Sequence, residues 1–432
     1  MQRLLFDKLD QWKNAKKRKP LIIQGARQVG KTWIMKEYGK KEFKNVLYVN
    51  FEQSERLKTL FVDDYNIDRI ITVLQVDSGI SIDKKNTLLI FDEIQEAEKG
   101  LTALKYFYET APEYYLMAAG SLLGEAMQKK HTFPVGKVDF LQLYPLSFTE
   151  FLLNLGEKKL VEILQNKDWG NINVFHDKYT HYLRLYYYIG GMPEAVAHYI
   201  ANKDVFAVRQ LQKNILMGYE NDFAKYAPSS IVPRIRLLWK NIIGQLSKEN
   251  KKFIYGKIKT GARAKDFELA INWLADAGLL NKVVLINKPT LPLSAYTDFD
   301  VFKLFGLDVG LLGAVAELDP KILLDKNNIM TEFKGALTEQ FVCQQLRCNG
   351  FDNLYYWCAE RATAEIDFVV QYQNKVIPIE VKAEEDLQAK SLKVYAEKYK
   401  PEIVLRSSIS KHKTTGNLIN VPLYGIAQFF TD

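Results

Sequence analysis

The chain has 432 residues, 47% of them hydrophobic and 12% aromatic, with a formal net charge of +8 and an isoelectric point near 8.9. That length exceeds a typical domain of about 100 to 200 residues and suits two to four packed cores. No apolar run is long enough to cross a bilayer, and Met1-Gln2-Arg3-Leu4-Leu5-Phe6-Asp7 lacks a signal-peptide pattern, so a soluble cytoplasmic protein is expected. Cys343, Cys348 and Cys358 are odd in number and form no C-x-x-C pair, which argues against a disulfide framework or a zinc site. The histidines give no ligand cluster either, because the spacing of His176 and His181 does not place them on one helical face. The positive balance permits nucleic-acid contact without demanding it.

Near the N-terminus, Lys16-Lys17-Arg18-Lys19 could touch phosphates or simply be solvated. It precedes the apolar run Leu21-Ile22-Ile23, the loop Gly25-Ala26-Arg27-Gln28-Val29-Gly30-Lys31-Thr32, and Trp33-Ile34-Met35-Lys36-Glu37-Tyr38. That order reads as strand, phosphate loop and helix. Glycines let the backbone fold around an anion, so that its N–H groups and the helix N-terminus point at phosphates. Lys31 would reach the β and γ phosphates, and Thr32 would offer its hydroxyl to Mg2+. Gly25, Arg27, Gly30, Lys31 and Thr32 are thus the expected contacts for ATP.

Thr87-Leu88-Leu89-Ile90-Phe91-Asp92-Glu93 is a continuous apolar run ending in two carboxylates, as expected of a strand buried on both faces of a parallel sheet. Asp92 would hold the metal, directly or through water. Glu93 would orient and deprotonate the attacking water. A third such strand, Tyr114-Tyr115-Leu116-Met117-Ala118-Ala119-Gly120, ends at Ser121, placed to sense the γ phosphate by hydrogen bond or else to serve as an ordinary turn or cap.

The pattern changes at Phe133-Pro134-Val135-Gly136-Lys137-Val138 and is helical from Thr149 to about Ala227, interrupted by Gly190-Gly191-Met192-Pro193-Glu194-Ala195-Val196. The Gly25 to Thr32 loop, Asp92-Glu93, Gly120-Ser121, Pro134 to Val138 and Gly190 to Ala195, taken in order, resemble the prokaryotic AAA-type ATPases that carry a C-terminal domain of unassigned function (DUF4143-like). The resemblance implies that Pro193 packs on the adenine ring and that Gly191 provides the turn. It also implies a slow switch rather than a fast motor. No arginine lies in an obvious finger position after Ser121, and Lys137 fills the basic slot of its stretch, which departs from a typical hexameric motor.

Pro233 to about Ile286 reads as short helices and a terminal strand, suggesting a winged-helix unit. Its second helix begins near Arg263-Ala264-Lys265, where positive residues can meet DNA, although winged helices serve protein contacts as often. Farther on, Glu365 to Val370 and Val376 to Lys382 flank Gln373-Asn374-Lys375 and read as a hairpin. With the turn centred between Gln373 and Asn374, Asp367 faces Glu380 and Glu365 faces Lys382, while Ile366, Phe368, Ile379 and Val381 take the other face. Opposed carboxylates repel, so something positive is expected between them, and a divalent metal would serve. With Glu339 on the preceding helix, the set Glu339, Asp367, Glu380 and Lys382 resembles the PD-(D/E)XK nuclease core, in which carboxylates bind Mg2+ and the lysine stabilises the attacking water or the phosphate.

The expected fold class is therefore α/β: a P-loop ATPase core with a parallel sheet (1–148), a helical lid (149–228), a winged-helix-like unit (229–300) and a nuclease-like domain (301–432). The expected function is an ATP-dependent switch controlling a module that binds nucleic acid or protein. Two alternatives are an ATP-licensed metal-dependent DNA nuclease and a non-catalytic regulator or scaffold in a defence or toxin system.

Overall fold

The computed structural model describes residues 1–120, 134–246, 253, 264–319, 331–360, 363–383 and 390–431. The chain divides into two compact units, residues 2–144 and 145–432.

The first unit is built on five parallel strands, β1 (Leu21–Gln24), β2 (Asn45–Asn50), β3 (Thr87–Asp92), β4 (Tyr115–Ala119) and β5 (Asp139–Gln142), in the order β2-β3-β4-β1-β5. Every residue of β3 is buried, as the unbroken apolar run requires of a strand covered on both faces. Phe51, Phe61, Phe91 and Phe107 interlock edge-on or tilted in the core beside it. Helix Lys31–Glu42 follows β1 directly, and its N-terminus lies at the C-terminal edge of the sheet, where ligands of such sheets bind. In the basic run, Arg18 is engaged within the unit. Its guanidinium lies 3.6 Å from the Tyr115 ring centroid and donates to the carbonyls of Pro112 and Glu113. Lys16 and Lys17 are exposed.

In the second unit the stretch after Ser147 is helical: Phe148–Asn154, Lys158–Gln165, Trp169–Val174, His176–Ile189, Pro193–Asn202 and Val205–Tyr226. The first of these starts with a capping box, Ser147 and Glu150 each satisfying the other's backbone N–H. Helices Val232–Leu246 and Ala264–Asp276 then lead into β6 (Leu280–Ile286), which pairs antiparallel with β7 (Thr297–Gly306). Arg263 lies outside the described residues. Of these two strands, the first was expected as the terminal strand of a separate winged-helix unit, with a boundary near residue 300. Instead β6 pairs in parallel with β8 (Leu354–Cys358), so both strands extend the C-terminal sheet. The physical reason is that β6 offers two ladder edges, and β8 satisfies the one that β7 leaves open.

That sheet has eight strands, completed by β9 (Glu365–Tyr372), β10 (Lys375–Lys382), β11 (Val404–Ser408), β12 (Lys413–Thr415) and β13 (Leu418–Pro422), in the order β12-β13-β11-β10-β9-β8-β6-β7. The β9–β10 hairpin has the expected register, from Lys375 opposite Tyr372 to Ile379 opposite Phe368. Gln373 and Asn374, both with positive φ, form its turn. Helix Thr331–Cys348 carries a row of buried glutamines that bond to backbone groups at the ends of other elements of the same unit. Gln340 bonds to both backbone groups of Gly306, Gln344 to Val309 N–H, and Gln345 to Phe148 N–H.

Candidate functional site

The phosphate loop owes its shape to two glycines. Gly25 has φ +149° and Gly30 has φ +96°, and a Cβ on Gly25 would lie 2.2 Å from the Leu143 carbonyl oxygen. Lys31 is 7% exposed, and its Nζ donates to the carbonyls of Gly25 and Ala26, both at 2.9 Å. Burial pushes the Lys31 ammonium down to about 8, while Glu93 and Asp92 pull the other way. Arg27 lies 4.0 Å from Glu52 in an ion pair at the loop's edge.

Strand β3 brings Asp92 to this loop. Thr32 Oγ1 donates to Asp92 Oδ2 at 2.6 Å, and the Tyr48 hydroxyl donates to the same oxygen at 3.0 Å. Lys36 Nζ sits 3.3 Å from the Tyr48 ring centroid. Burial, reinforced by Asp92, pushes the Tyr48 phenol up to about 12, so it remains a donor at neutral pH. Glu93 stands in a left-handed conformation, φ +49°, directly after the strand, and Gln95 Nε2 donates to its Oε2 at 2.6 Å. Neither Tyr48 nor Gln95 was singled out from the sequence. Tyr48 reads there as one more strand aromatic, and Gln95 as a solvated residue after an acidic pair. The hydroxyl of Thr32 and the carboxylate of Asp92 are hard oxygen donors side by side, the set that Mg2+ accepts alongside nucleotide phosphates, so the residues fit that ion.

Ser121 lies outside the described residues. Gly191 and Pro193 belong to the second unit, where packing accounts for their turn. Gly191 N–H donates to Asp308 Oδ2 at 2.6 Å, its carbonyl accepts from Leu146 N–H at 2.7 Å, and an added Cβ would lie 2.1 Å from the Leu146 oxygen. Pro193 is half-buried at the first helical position, where its missing N–H costs nothing. Lys137, the residue in the basic slot, pairs with Glu109 at 2.9 Å.

The acidic face of the C-terminal sheet differs from expectation in what lies among its carboxylates. Lys303, on β7, is fully buried there. Its ammonium is ion-paired and hydrogen-bonded to Glu365, lies 3.8 Å from Asp367 Oδ1, and sits 4.9 Å from the Tyr356 ring centroid. Burial works against its charge, but Glu365, Glu339 and Asp367 outweigh it and hold the pKa above the ordinary lysine value. Asp367 Oδ2 accepts the Val381 N–H at 2.8 Å. Glu380, 4% exposed, pairs with Lys382 at 2.9 Å, and burial pushes its carboxyl up while Lys382 pulls it down. Among the described residues no group of three or more His, Cys, Asp or Glu side chains is arranged to hold a metal ion. The expectation was a metal between Glu339, Asp367 and Glu380; what stands among these acids in the structure is the Lys303 ammonium. A lone lysine among Phe302, Leu304 and Phe305 was the available signal, since a strand interior rarely holds one without a partner.

Three family profiles match the chain: an AAA domain at residues 17–152, a domain of unknown function (DUF8612) at 180–322, and a domain of unknown function (DUF4143) at 334–424. The uncharacterized protein MJ1544 of Methanocaldococcus jannaschii is 23% identical over 384 residues, which is 87% of this chain and 77% of that protein. Among solved structures, the Walker-type ATPase of Pyrococcus abyssi aligns with a TM-score of 0.45 and 13% identity, over 72% of this chain and 94% of its own. The Aeropyrum pernix ORC1 protein, solved in complex with DNA, aligns with a TM-score of 0.27 and 11% identity, over 72% and 90%. At such scores neither likeness bears on function. The matched profiles, together with the phosphate loop and the parallel sheet that holds it, give this chain a P-loop domain of the AAA ATPase type and a C-terminal DUF4143 domain.

Proposed function

We propose that the protein hydrolyses ATP slowly and uses the bound nucleotide as a switch that changes what the second unit offers to a nucleic-acid or protein partner. The observation that carries this reading is the pair of bonds from Lys31 Nζ to the Gly25 and Ala26 carbonyls. An ammonium has three donors, so to grip β and γ phosphates with two of them Lys31 gives up at least one of these carbonyls, and ATP would bias the loop towards that second arrangement.

In the proposed cycle the loop N–H groups and Lys31 hold the triphosphate. Thr32 and Asp92 would hold Mg2+, which supplies charge neutralisation on the transferring phosphoryl oxygens. Tyr48 keeps Asp92 oriented by its hydrogen bond. Glu93 accepts a proton from the attacking water once its carboxylate is turned from Gln95 towards the phosphate. Release of phosphate then returns Lys31 to the loop carbonyls. The hydrolytic reading is favoured over nucleotide storage by Glu93, a carboxylate one residue beyond the metal-site aspartate that accepts a hydrogen bond from the Gln95 amide.

Hydrogen exchange tests the switch. In Glu93→Gln, amides within residues 145–431 should differ in protection between saturating ATP and ADP. Identical protection in both states would leave an ATPase without the switch.

A further inference from the structure

The acidic face of the second unit draws on two separately matched segments. Lys303 comes from the segment matched to DUF8612, whereas Glu339, Glu365, Asp367 and Glu380 come from the DUF4143 segment. In the sheet, β6 and β8 separate β7 from β9, yet the Lys303 ammonium reaches Glu365 and approaches Asp367. The surrounding acids are also engaged. Asp367 Oδ2 takes the Val381 N–H, and Glu380 takes the Lys382 ammonium.

Charge counting bears on what else could enter. Four carboxylates, Glu339, Glu365, Asp367 and Glu380, stand beside the cations Lys303, Lys382 and Arg406, the last acting on Glu380 through space. Among the described residues one formal negative charge remains, too little to offset a dication. A divalent ion bound to Asp367 Oδ1 at an oxygen-ligand distance of about 2.0–2.6 Å would also lie within ~6.5 Å of the Lys303 ammonium, where buried charges are poorly screened.

We infer that Lys303 is a tethered cation standing where a nuclease-like core would hold a divalent metal, so that this face binds no metal while Lys303 remains. The C-terminal sheet then keeps its acids for structure, and the DUF8612 segment is what closes the site. This inference does not rest on the nucleotide reading.

The test uses the full-length protein, stripped with EDTA and free of nucleotide, titrated with Mn2+ by calorimetry and followed by thermal unfolding. Wild type should show no Mn2+ binding that Asp367→Asn removes. Lys303→Met keeps most of the side-chain stem but deletes the charge. It should melt lower than wild type and regain about 4 °C or more at an Mn2+ excess of ~100-fold over Kd. Mn2+ uptake by wild type that is lost in Asp367→Asn would overturn the inference. So would a folded Lys303→Met that ignores Mn2+. Should Lys303→Met fail to fold, the comparison of wild type with Asp367→Asn decides by itself.

Discussion

The Thr32 hydroxyl donates to Asp92 Oδ2 at 2.6 Å across 60 positions of sequence, joining the phosphate loop to the end of β3. Tyr48 supplies a second donor to the same oxygen. Groups that orient a metal-holding carboxylate commonly change metal affinity by roughly 10- to 100-fold when removed. Tyr48→Phe should therefore raise the Mg2+ concentration needed for half-maximal ATP turnover by about that factor. Binding of ATP in EDTA should be unchanged. An unaltered Mg2+ dependence would reduce Tyr48 to a packing residue.

Lys31 links nucleotide affinity to pH. Its ammonium is pushed down to about 8 by burial, whereas a lysine gripping phosphates must be charged. ATP affinity should be level from pH 7 to about 8 and then fall by up to about tenfold per unit, because binding requires proton uptake above that pKa. Lys31→Ala should bind far more weakly and lose the step. The depressed pKa also means that the unfolded chain holds more protons than the folded one between about pH 8 and the ordinary lysine value. The protein without nucleotide should accordingly gain stability as pH rises through that window. Calorimetry and thermal melts across pH 7 to 10 check both signs.

Asp308 is the anchor of the Gly190-Gly191 turn. Its carboxylate accepts from Gly191 N–H at 2.6 Å, Leu311 N–H at 3.0 Å and Gln344 Nε2 at 2.9 Å, all in a buried setting that raises its pKa. Asp308→Asn removes a buried charge but turns an amide donor towards a backbone or side-chain donor, so it should destabilise by about 1–3 kcal/mol. Gly191→Ala would force a Cβ to 2.1 Å from the Leu146 oxygen and should also lower the melting temperature. ATP affinity should survive in whatever Gly191→Ala protein remains folded. Weakened ATP binding at unchanged stability would return Gly191 and Pro193 to the nucleotide.

The phosphate loop and β3 were legible in the sequence because local pattern determines them: glycines at fixed offsets, then a strand with no polar interruption. The β9–β10 register was legible for the same reason, since a two-residue turn fixes which residues face each other. The partner of the acidic face was not. Lys303 lies 62 positions from Glu365, with two strands between theirs in the sheet, and no short-range pattern links them. The boundary near residue 300 failed similarly, because the parallel pairing of β6 with β8 joins segments far apart in sequence. Gln95 and Tyr48 were missed because their importance lies in one hydrogen bond each, to Glu93 and Asp92, made by side chains ordinary for their positions.

The most direct test of the account is ATP hydrolysis by wild type, Lys31→Ala and Glu93→Gln, measured beside ATP affinity for each. Lys31→Ala should lose both binding and turnover. Glu93→Gln keeps the loop, Thr32 and Asp92, so it should bind ATP as wild type does and turn over about 100-fold more slowly or worse, the scale of a lost general base. Equal turnover in wild type and Glu93→Gln, or undiminished ATP binding in Lys31→Ala, would contradict the site described for this protein.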